Sequence, residues 1–141
     1  MKNQDVFPAK IEQLPKILRW IRENLSELSL SASEKNKLEV VSEEIIVNIA
    51  HYAYPAAEGT IEIEIEEKNG GVVFSFLDSG KPFNPLENQK PVIKSLSVDS
   101  KDIGGLGIFF VKNLVDRVDY CFENGKNKLT FFYRLKNKKA I

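Results

Sequence analysis

Two polar residues one helical turn apart, Glu44 and Asn48, interrupt an otherwise apolar part of the stretch at residues 37–54. Because successive helical residues step by about 100°, side chains four positions apart point within about 40° of each other. An unpaired polar group held away from water costs roughly 1–3 kcal/mol, and a charge costs more. Either other core groups satisfy the pair or the pair faces a ligand, and the helix alone leaves both interpretations open.

The element that must position this pair is a helix with clear limits. Ser31-x-x-Glu34 has the pattern of a capping box, and Pro55 follows the last apolar residues. A buried stripe lies beside the pair in the predicted helix and comprises Leu38, Val41, Ile45 and Ile49. The sequence therefore predicts a core helix that carries a carboxylate and an amide at its edge.

The remaining elements are predicted to form one α/β domain over residues 1–141. A short edge strand at residues 5–9 precedes a helix at residues 12–28, on which Trp20 makes a rim or dimer contact. Asn69-Gly70 and Asn124-Gly125 each join two strand-like runs, as in β-hairpins. A chain of 141 residues, 43% of them hydrophobic, suits a single core.

Charge and cysteine content exclude several classes of function. Twenty basic and twenty acidic residues cancel, so no net field attracts nucleic acid or an anionic membrane. The single Cys121 excludes a disulfide framework and a multi-cysteine zinc site, and we expect it to be a buried small hydrophobe. No apolar run approaches the roughly 20 residues that span a bilayer, so we expect a cytoplasmic protein.

Asp78-x-Gly80 follows the second predicted strand, next to the helix that carries Glu44 and Asn48. An Asp-x-Gly sequence is by itself a common turn. A pocket would nevertheless open at this strand end, where glycine lets a flat ligand approach the backbone and a carboxylate accepts hydrogen bonds from an exocyclic amine such as that of adenine.

A glycine-rich loop, Gly104-Gly105-Leu106-Gly107-Ile108, opens another predicted helix. Glycines at a helix start expose backbone N–H groups, which together with the helix dipole form a phosphate site, although a flexible hinge has the same composition. The loop is not a Rossmann fingerprint, because the third glycine is missing, and no Gly-Lys-Ser/Thr follows to make a Walker motif.

These stretches, in this order, resemble the Bergerat-fold ATPases, which include DNA gyrase and the ATP-binding domains of histidine kinases. The strings NIAHYAYP, DSGKPFNP and GGLGIFFVKNLVD look most like the anti-sigma-factor serine kinases and their stand-alone relatives. The resemblance covers residues 10–136. It implies an α/β two-layer sandwich whose mixed, mostly antiparallel sheet is covered on one face by three helices.

The resemblance also implies roles for individual residues. Asn48 would coordinate the Mg²⁺ that bridges the ATP phosphates, and Asp78 would bind the adenine amine. Gly80 would let the ring lie against the backbone, and Thr130 would support Asp78 directly or through water. The loop that holds the phosphates through main-chain N–H groups would comprise Gly104, Gly105, Leu106, Gly107 and Ile108.

Glu44 would be the catalytic base, because it shares the face of Asn48 and Glu43 does not. Residues 85–103 would form the lid. Several anti-sigma kinases carry histidine four residues after the asparagine, whereas here Tyr52 holds that place and His51 comes one residue earlier. Tyr52 would line the nucleotide pocket instead.

The resemblance therefore implies a Mg-ATP-dependent serine/threonine kinase that phosphorylates a small anti-anti-sigma-type protein. A sigma factor would be a further partner, and the chain would form a homodimer. Two alternatives stay open at this point: an ATP-responsive switch that holds a regulator without catalysis, and a module of a larger phosphatase or kinase system.

Overall fold

The chain forms two layers, a five-stranded sheet and the helices that cover one of its faces. The computed structural model describes residues 2–54, 58–87 and 111–135. The strands are β1 (Lys2–Pro8), β2 (Thr60–Lys68), β3 (Gly71–Asp78), β4 (Arg117–Glu123) and β5 (Lys126–Arg134), in the spatial order β1-β2-β3-β5-β4. The predicted two-layer sandwich is confirmed, and all four pairings of these strands are antiparallel.

Two long helices make up most of the second layer. A 3₁₀ turn (Ile11–Gln13) leads into α1 (Leu14–Leu25), which is shorter than predicted at both ends, and α2 spans Ala32–Tyr52. The predicted capping box opens α2: Ser31 Oγ accepts from Glu34 N at 3.0 Å, and Ser31 N donates to Glu34 Oε1 at 2.9 Å. No helix in the described part of the chain is long and apolar enough to cross a bilayer.

Both predicted hairpin turns are present and have the backbone that their sequences favour. Asn69 and Gly70 have φ values of 55° and 77°, and Asn124 and Gly125 have 53° and 75°. Positive φ at both central residues matches the right-handed twist of the flanking strands. The turns therefore set the pairing of β2 with β3 and of β4 with β5.

The core lies between α1, α2 and the inner face of the sheet. The rings of Phe74 and Phe131 stack at 4.6 Å between centroids on neighbouring strands β3 and β5. Full burial of a large apolar side chain contributes about 1.5–3 kcal/mol. Trp20 is partly buried at the rim of this core, edge-on to Phe7 at 5.5 Å, as one of its two predicted roles requires. Fully buried aliphatic residues from both layers include Ile17, Ile21, Leu38, Val41, Ile61, Ile63 and Ile65.

Cys121 is exposed, so the prediction that it is a buried small hydrophobe is wrong. It belongs to β4, which lies at the edge of the sheet. Its neighbours Val118 and Tyr120 pack against the core, whereas the alternation of side chains along a strand turns Cys121 to the opposite face. The helices of the described residues cover only the face that Val118 and Tyr120 share.

Candidate functional site

A cavity opens between the last turns of α2 and the ends of strands β3, β4 and β5. Its empty space, including the part open to solvent, is about 500 Å³. The apolar wall includes Ile45, Ile49, Phe76 and Leu129, and the residues with polar groups include Asn48, Asp78, Lys81, Tyr120 and Asn127. A mostly apolar cleft with a few polar groups is the usual composition of a small-molecule site.

Asp78, the last residue of β3, lines this cavity with a carboxylate that is only partly engaged. Its side chain is 7% exposed. Oδ1 accepts hydrogen bonds from Gly80 N at 2.9 Å and from Asn127 Nδ2 at 2.9 Å. Within residues 2–54, 58–87 and 111–135, no hydrogen bond uses Oδ2. This oxygen is therefore available to accept a hydrogen bond from a ligand amine.

The turn after Asp78 is pressed against the end of α2. A Cβ on Gly80 would lie 2.2 Å from the carbonyl oxygen of Ala53, so only glycine fits there. The Tyr54 hydroxyl fastens the same region, since it donates to Thr60 O and accepts from Ser79 N, each at 2.7 Å. The tight neighbour of Gly80 in this structure is thus α2, and a role beside a purine ring stays a prediction.

Sequence reasoning missed Asn127, which makes the largest set of polar contacts in the cavity. Asn127 faces Asp78 directly in the pairing of β3 with β5, and it is 7% exposed. Besides the bond to Asp78, its Nδ2 donates to Lys81 O at 2.9 Å, and its Oδ1 accepts from Phe83 N at 3.1 Å. The Tyr120 hydroxyl donates to the same Oδ1. The period-two pattern of Asn127 with Leu129, Phe131 and Tyr133 is the sequence feature that places it on the inner face.

Thr130 does not support Asp78, and that prediction is wrong. Thr130 pairs with Ser75 in the register of β3 with β5, and its Oγ1 lies 3.3 Å from Ser75 Oγ. Residues at odd positions of β5 face the helices, so Thr130 lies on the other side of the sheet. Asn127 and Thr130 are three positions apart and therefore lie on opposite faces of β5. Asn127 is in the cavity for this reason, and Thr130 is not.

Glu44 holds a carboxylate oxygen in an unfavourable environment. The side chain is only partly exposed, and its Oε1 is buried with no hydrogen-bond partner in the described chain. Burial raises the pKa of Glu44 above its usual value, and the nearby charge of Glu43 raises it further. A carboxylate that is poorly solvated and has a raised pKa is well suited to accept a proton.

The other predicted site residues differ in how far the structure describes them. Asn48 lies in the cavity wall one helical turn after Glu44, and Tyr52 lines the same wall with 47% of its surface exposed. His51 is exposed and packs edge-on to Tyr52, with 6.0 Å between ring centroids. The predicted phosphate loop at residues 104–108 lies outside the described residues, and so does most of the predicted lid.

Comparison with known proteins gives the family and the fold. A solved structure, the RsbU and RsbW domains of Rv1364c from Mycobacterium tuberculosis, matches with a TM-score of 0.69 and 18% identity, covering 96% of this chain and 32% of that one. The chain therefore spans about a third of that protein's length. A search of curated proteins gave no match. A family model described as the histidine kinase-like ATPase domain matches residues 7–133. Since this match spans nearly the whole chain, the protein belongs to the histidine kinase-like ATPase domain family.

Proposed function

We propose that this protein is a Mg-ATP-dependent serine/threonine kinase that phosphorylates a small anti-anti-sigma-type regulator. In this proposal it acts in the cytoplasm as a homodimer and has a sigma factor as a second partner. Family membership supports ATP binding. The likeness of its motifs to the anti-sigma-factor serine kinases, together with a fold shared with a structure that contains an RsbW domain, supports the finer assignment.

The observation that carries the proposal is the state of Glu44. Burying a carboxylate oxygen without a partner is costly, and a raised pKa lowers the cost only by favouring the protonated form. In the proposed reaction, Glu44 accepts the proton of a serine hydroxyl on the partner protein. The serine oxygen then bonds to the γ-phosphorus of ATP, and ADP leaves with the electrons of the broken bond.

Asn48 fits the role of a magnesium ligand. No group of three or more His, Cys, Asp or Glu side chains that could hold a metal occurs among the residues whose placement is described. Mg²⁺ in nucleotide enzymes commonly takes one or two protein oxygens, several waters and the substrate phosphates, so a single amide oxygen in the cavity wall suffices. When bound, the ion would neutralise charge on the phosphates.

The opposite side of the cavity supports recognition of a base. Asp78 offers an unused carboxylate oxygen next to the apolar wall formed by Ile49 and Phe76. An aminopurine presents a donor for that oxygen and a flat apolar face for the wall. In the proposal Tyr52 adds a contact from α2, while the glycine loop at residues 104–108 holds the phosphates.

The proposal is tested by phosphate transfer from γ-labelled ATP to an anti-anti-sigma-type protein. Glu44→Gln should lower the rate at saturating ATP by roughly 10²- to 10⁴-fold, the usual contribution of a general base. ATP affinity should stay within about threefold, because the lost group is not proposed to bind nucleotide. Glu43→Gln is the matched control and should leave the rate near wild type.

Two results would overturn the kinase assignment. Transfer that survives Glu44→Gln at the wild-type rate would remove Glu44 from the mechanism. ATP-dependent capture of the partner with no phosphorylation by the wild-type protein would instead identify a binding switch.

A further inference from the structure

We propose that Asn127 is the positioning residue that gives the cavity its selectivity for a 6-aminopurine. It holds the Asp78 carboxylate in one orientation and ties the segment at residues 80–83 to the same point. This inference rests on the proposed function, because it assigns the basis of nucleotide choice to a residue on β5. The resemblance assigned the support of Asp78 to Thr130 on the same strand, and neither it nor the motifs pointed to Asn127.

The side-chain amide of Asn127 is fully engaged. Its Nδ2 donates to Asp78 Oδ1 and to Lys81 O, each at 2.9 Å, with Gly80 O further away at 3.4 Å. Its Oδ1 accepts from the backbone N–H of Phe83 and from the hydroxyl of Tyr120. An amide has two donors and one oxygen with two lone pairs, so little of its capacity is left.

These contacts also decide which way the amide faces. If the amide turned by 180°, its oxygen would meet the carboxylate and the carbonyl of Lys81, and its NH₂ group would meet the N–H of Phe83. Because Asn127 is only 7% exposed, each mismatch would leave a buried polar group without a hydrogen-bond partner. The donor therefore points to Asp78 in a defined geometry.

The fixed position of the Asn127 donor has a chemical consequence for the Asp78 carboxylate. Asn127 Nδ2 and Gly80 N both donate to Oδ1, which restricts rotation of the carboxylate, and no described group binds Oδ2 of this cavity-lining residue. An ionised carboxylate oxygen can accept a hydrogen bond but cannot donate one. Oδ2 therefore matches the amino group of adenine and is repelled by the carbonyl oxygen of a 6-oxopurine. A site built around one hydrogen bond rejects a ligand that leaves the buried partner unpaired.

Asn127 would therefore act on nucleotide through Asp78 and not through general support of the fold. Loss of Asn127 leaves Gly80 N as the one described donor to Oδ1, so the carboxylate gains freedom to rotate. Affinity for ATP should then fall and discrimination against GTP should weaken. Affinity for inorganic tripolyphosphate should not change, because that ligand has no base.

The test is calorimetric titration of Mg-ATP, Mg-GTP and magnesium tripolyphosphate into the wild type, Asn127→Ala, Asp78→Asn and the double variant. Asn127→Ala should weaken ATP binding about tenfold, as expected for one lost hydrogen bond to a charged group. The ratio of the affinity for ATP to the affinity for GTP should fall by a similar factor. In the Asp78→Asn background, Asn127→Ala should add less than about twofold. Equal weakening of all three ligands, or full additivity, would overturn the proposal.

A second variant keeps the shape of the side chain and changes only its donor. Asn127→Asp places two carboxyl groups within hydrogen-bond distance, and such a pair shares one proton with a raised pKa. ATP affinity of this variant should be low at pH 8 and recover several-fold toward pH 5.5. Burial raises the pKa of Tyr120, the other titratable group on Asn127, so its hydroxyl stays protonated over this range.

Asn124→Asp is the matched control, because it adds the same charge at the tip of the same hairpin, where φ is 53°. It should show no pH-dependent recovery relative to wild type. A flat profile for Asn127→Asp would contradict the inference. A wild-type protein that binds no ATP would defeat the proposed function itself, whereas wild-type selectivity for ATP that persists in Asn127→Ala would defeat only the role of Asn127.

Discussion

Asp78 and Glu44 are both carboxylates placed beside the core, yet their surroundings are opposite. Asp78 Oδ1 receives two N–H donors, and the loop around it is tied to β5 and to the end of α2. Glu44 Oε1 is buried with no hydrogen-bond partner among the described residues. Hydrogen bonds are thus concentrated at the carboxylate that we propose binds the base and are missing at the carboxylate that we propose accepts the proton.

The difference shows how one domain can give two acids different properties: Asp78 lines the cavity, whereas Glu44 is not among the residues that line it. Donors around Asp78 favour a fixed acceptor, which is what selective binding needs. Poor solvation at Glu44 favours the protonated form and raises its pKa, which is what a base needs if it is to hold a proton during reaction. The two carboxylates should therefore respond differently when each is replaced by its amide.

The largest expected effect on ATP binding comes from changing the hydrogen-bonded carboxylate, Asp78. Asp78→Asn should weaken ATP affinity by roughly 10- to 100-fold, because a charged hydrogen bond is worth about 1.5–3 kcal/mol. The transfer rate at saturating ATP should be retained within a few-fold. Calorimetry and the transfer assay measure the two quantities separately. Affinity that is unchanged would remove the contrast between Asp78 and Glu44.

The close approach of the Asp78 loop to α2 gives the next effect. Gly80→Ala should destabilise the protein by about 1–3 kcal/mol, since the new methyl group would lie 2.2 Å from Ala53 O and force the loop or the helix to move. Gly125→Ala is a useful comparison, because it has open space around it and a φ of 75°, so only backbone strain of about 1–2 kcal/mol is expected. Urea unfolding measures both, and Gly80→Ala should also weaken ATP binding whereas Gly125→Ala should not.

Substitution of Glu44, whose Oε1 has no described hydrogen-bond partner, should stabilise the protein. A carboxyl whose pKa is raised in the folded state binds its proton more tightly there than in the unfolded chain, so its stabilising contribution is present at low pH and is lost as pH rises through the folded pKa. Glu44→Gln should therefore be more stable than wild type at pH 7, by about 1 kcal/mol after allowance for its partial exposure.

That gain should shrink as pH falls through the raised pKa of the folded state, and it should be gone below about 4, where the wild-type carboxyl is protonated in both states. Urea unfolding at pH 7 and at pH 4 gives the comparison. A variant that is less stable than wild type at pH 7 would mean that Glu44 has a stabilising partner, and the contrast with Asp78 would fail.

The smallest effect is expected on the face of the sheet opposite to the cavity. Cys121→Ser changes an exposed side chain on the face of β4 that points away from the described helices, so stability should change by less than about 0.5 kcal/mol. ATP affinity should be the same as wild type. Thermal unfolding with and without nucleotide checks both points, and a large loss would mean that this face is covered by a partner in solution.

Local patterns predicted most of the elements that position the site. The capping box at Ser31 and Glu34 and the two Asn-Gly turns depend on neighbours within four residues, and all of them form as their sequences indicate. The position of Glu44 beside Asn48 follows from the helical repeat alone. Membership in the histidine kinase-like ATPase domain family confirms the resemblance.

Side-chain facing on the strands could not be predicted as well. Whether Thr130 or Asn127 meets Asp78 depends on the register of β5 against β3, strands that are far apart in the sequence, and a shift by one residue exchanges the two faces. The prediction for Cys121 is wrong for a related reason: it lies on the face of β4 opposite to Val118 and Tyr120, and only the three-dimensional packing shows which face of the sheet the described helices cover. Long-range pairing carries this information, and no short motif does.

The pH dependence of kcat/KM for phosphate transfer, measured at subsaturating ATP in the wild type and in Glu44→Gln, tests the central claim most directly. A base that must be ionised and whose pKa is raised predicts a wild-type rate that increases with pH and levels off, with its midpoint above the ordinary range of a glutamate. The same step should be missing from the residual activity of Glu44→Gln. A wild-type profile that is flat from pH 4 to pH 8, or a step that persists in the variant, would contradict the role assigned to the buried carboxylate.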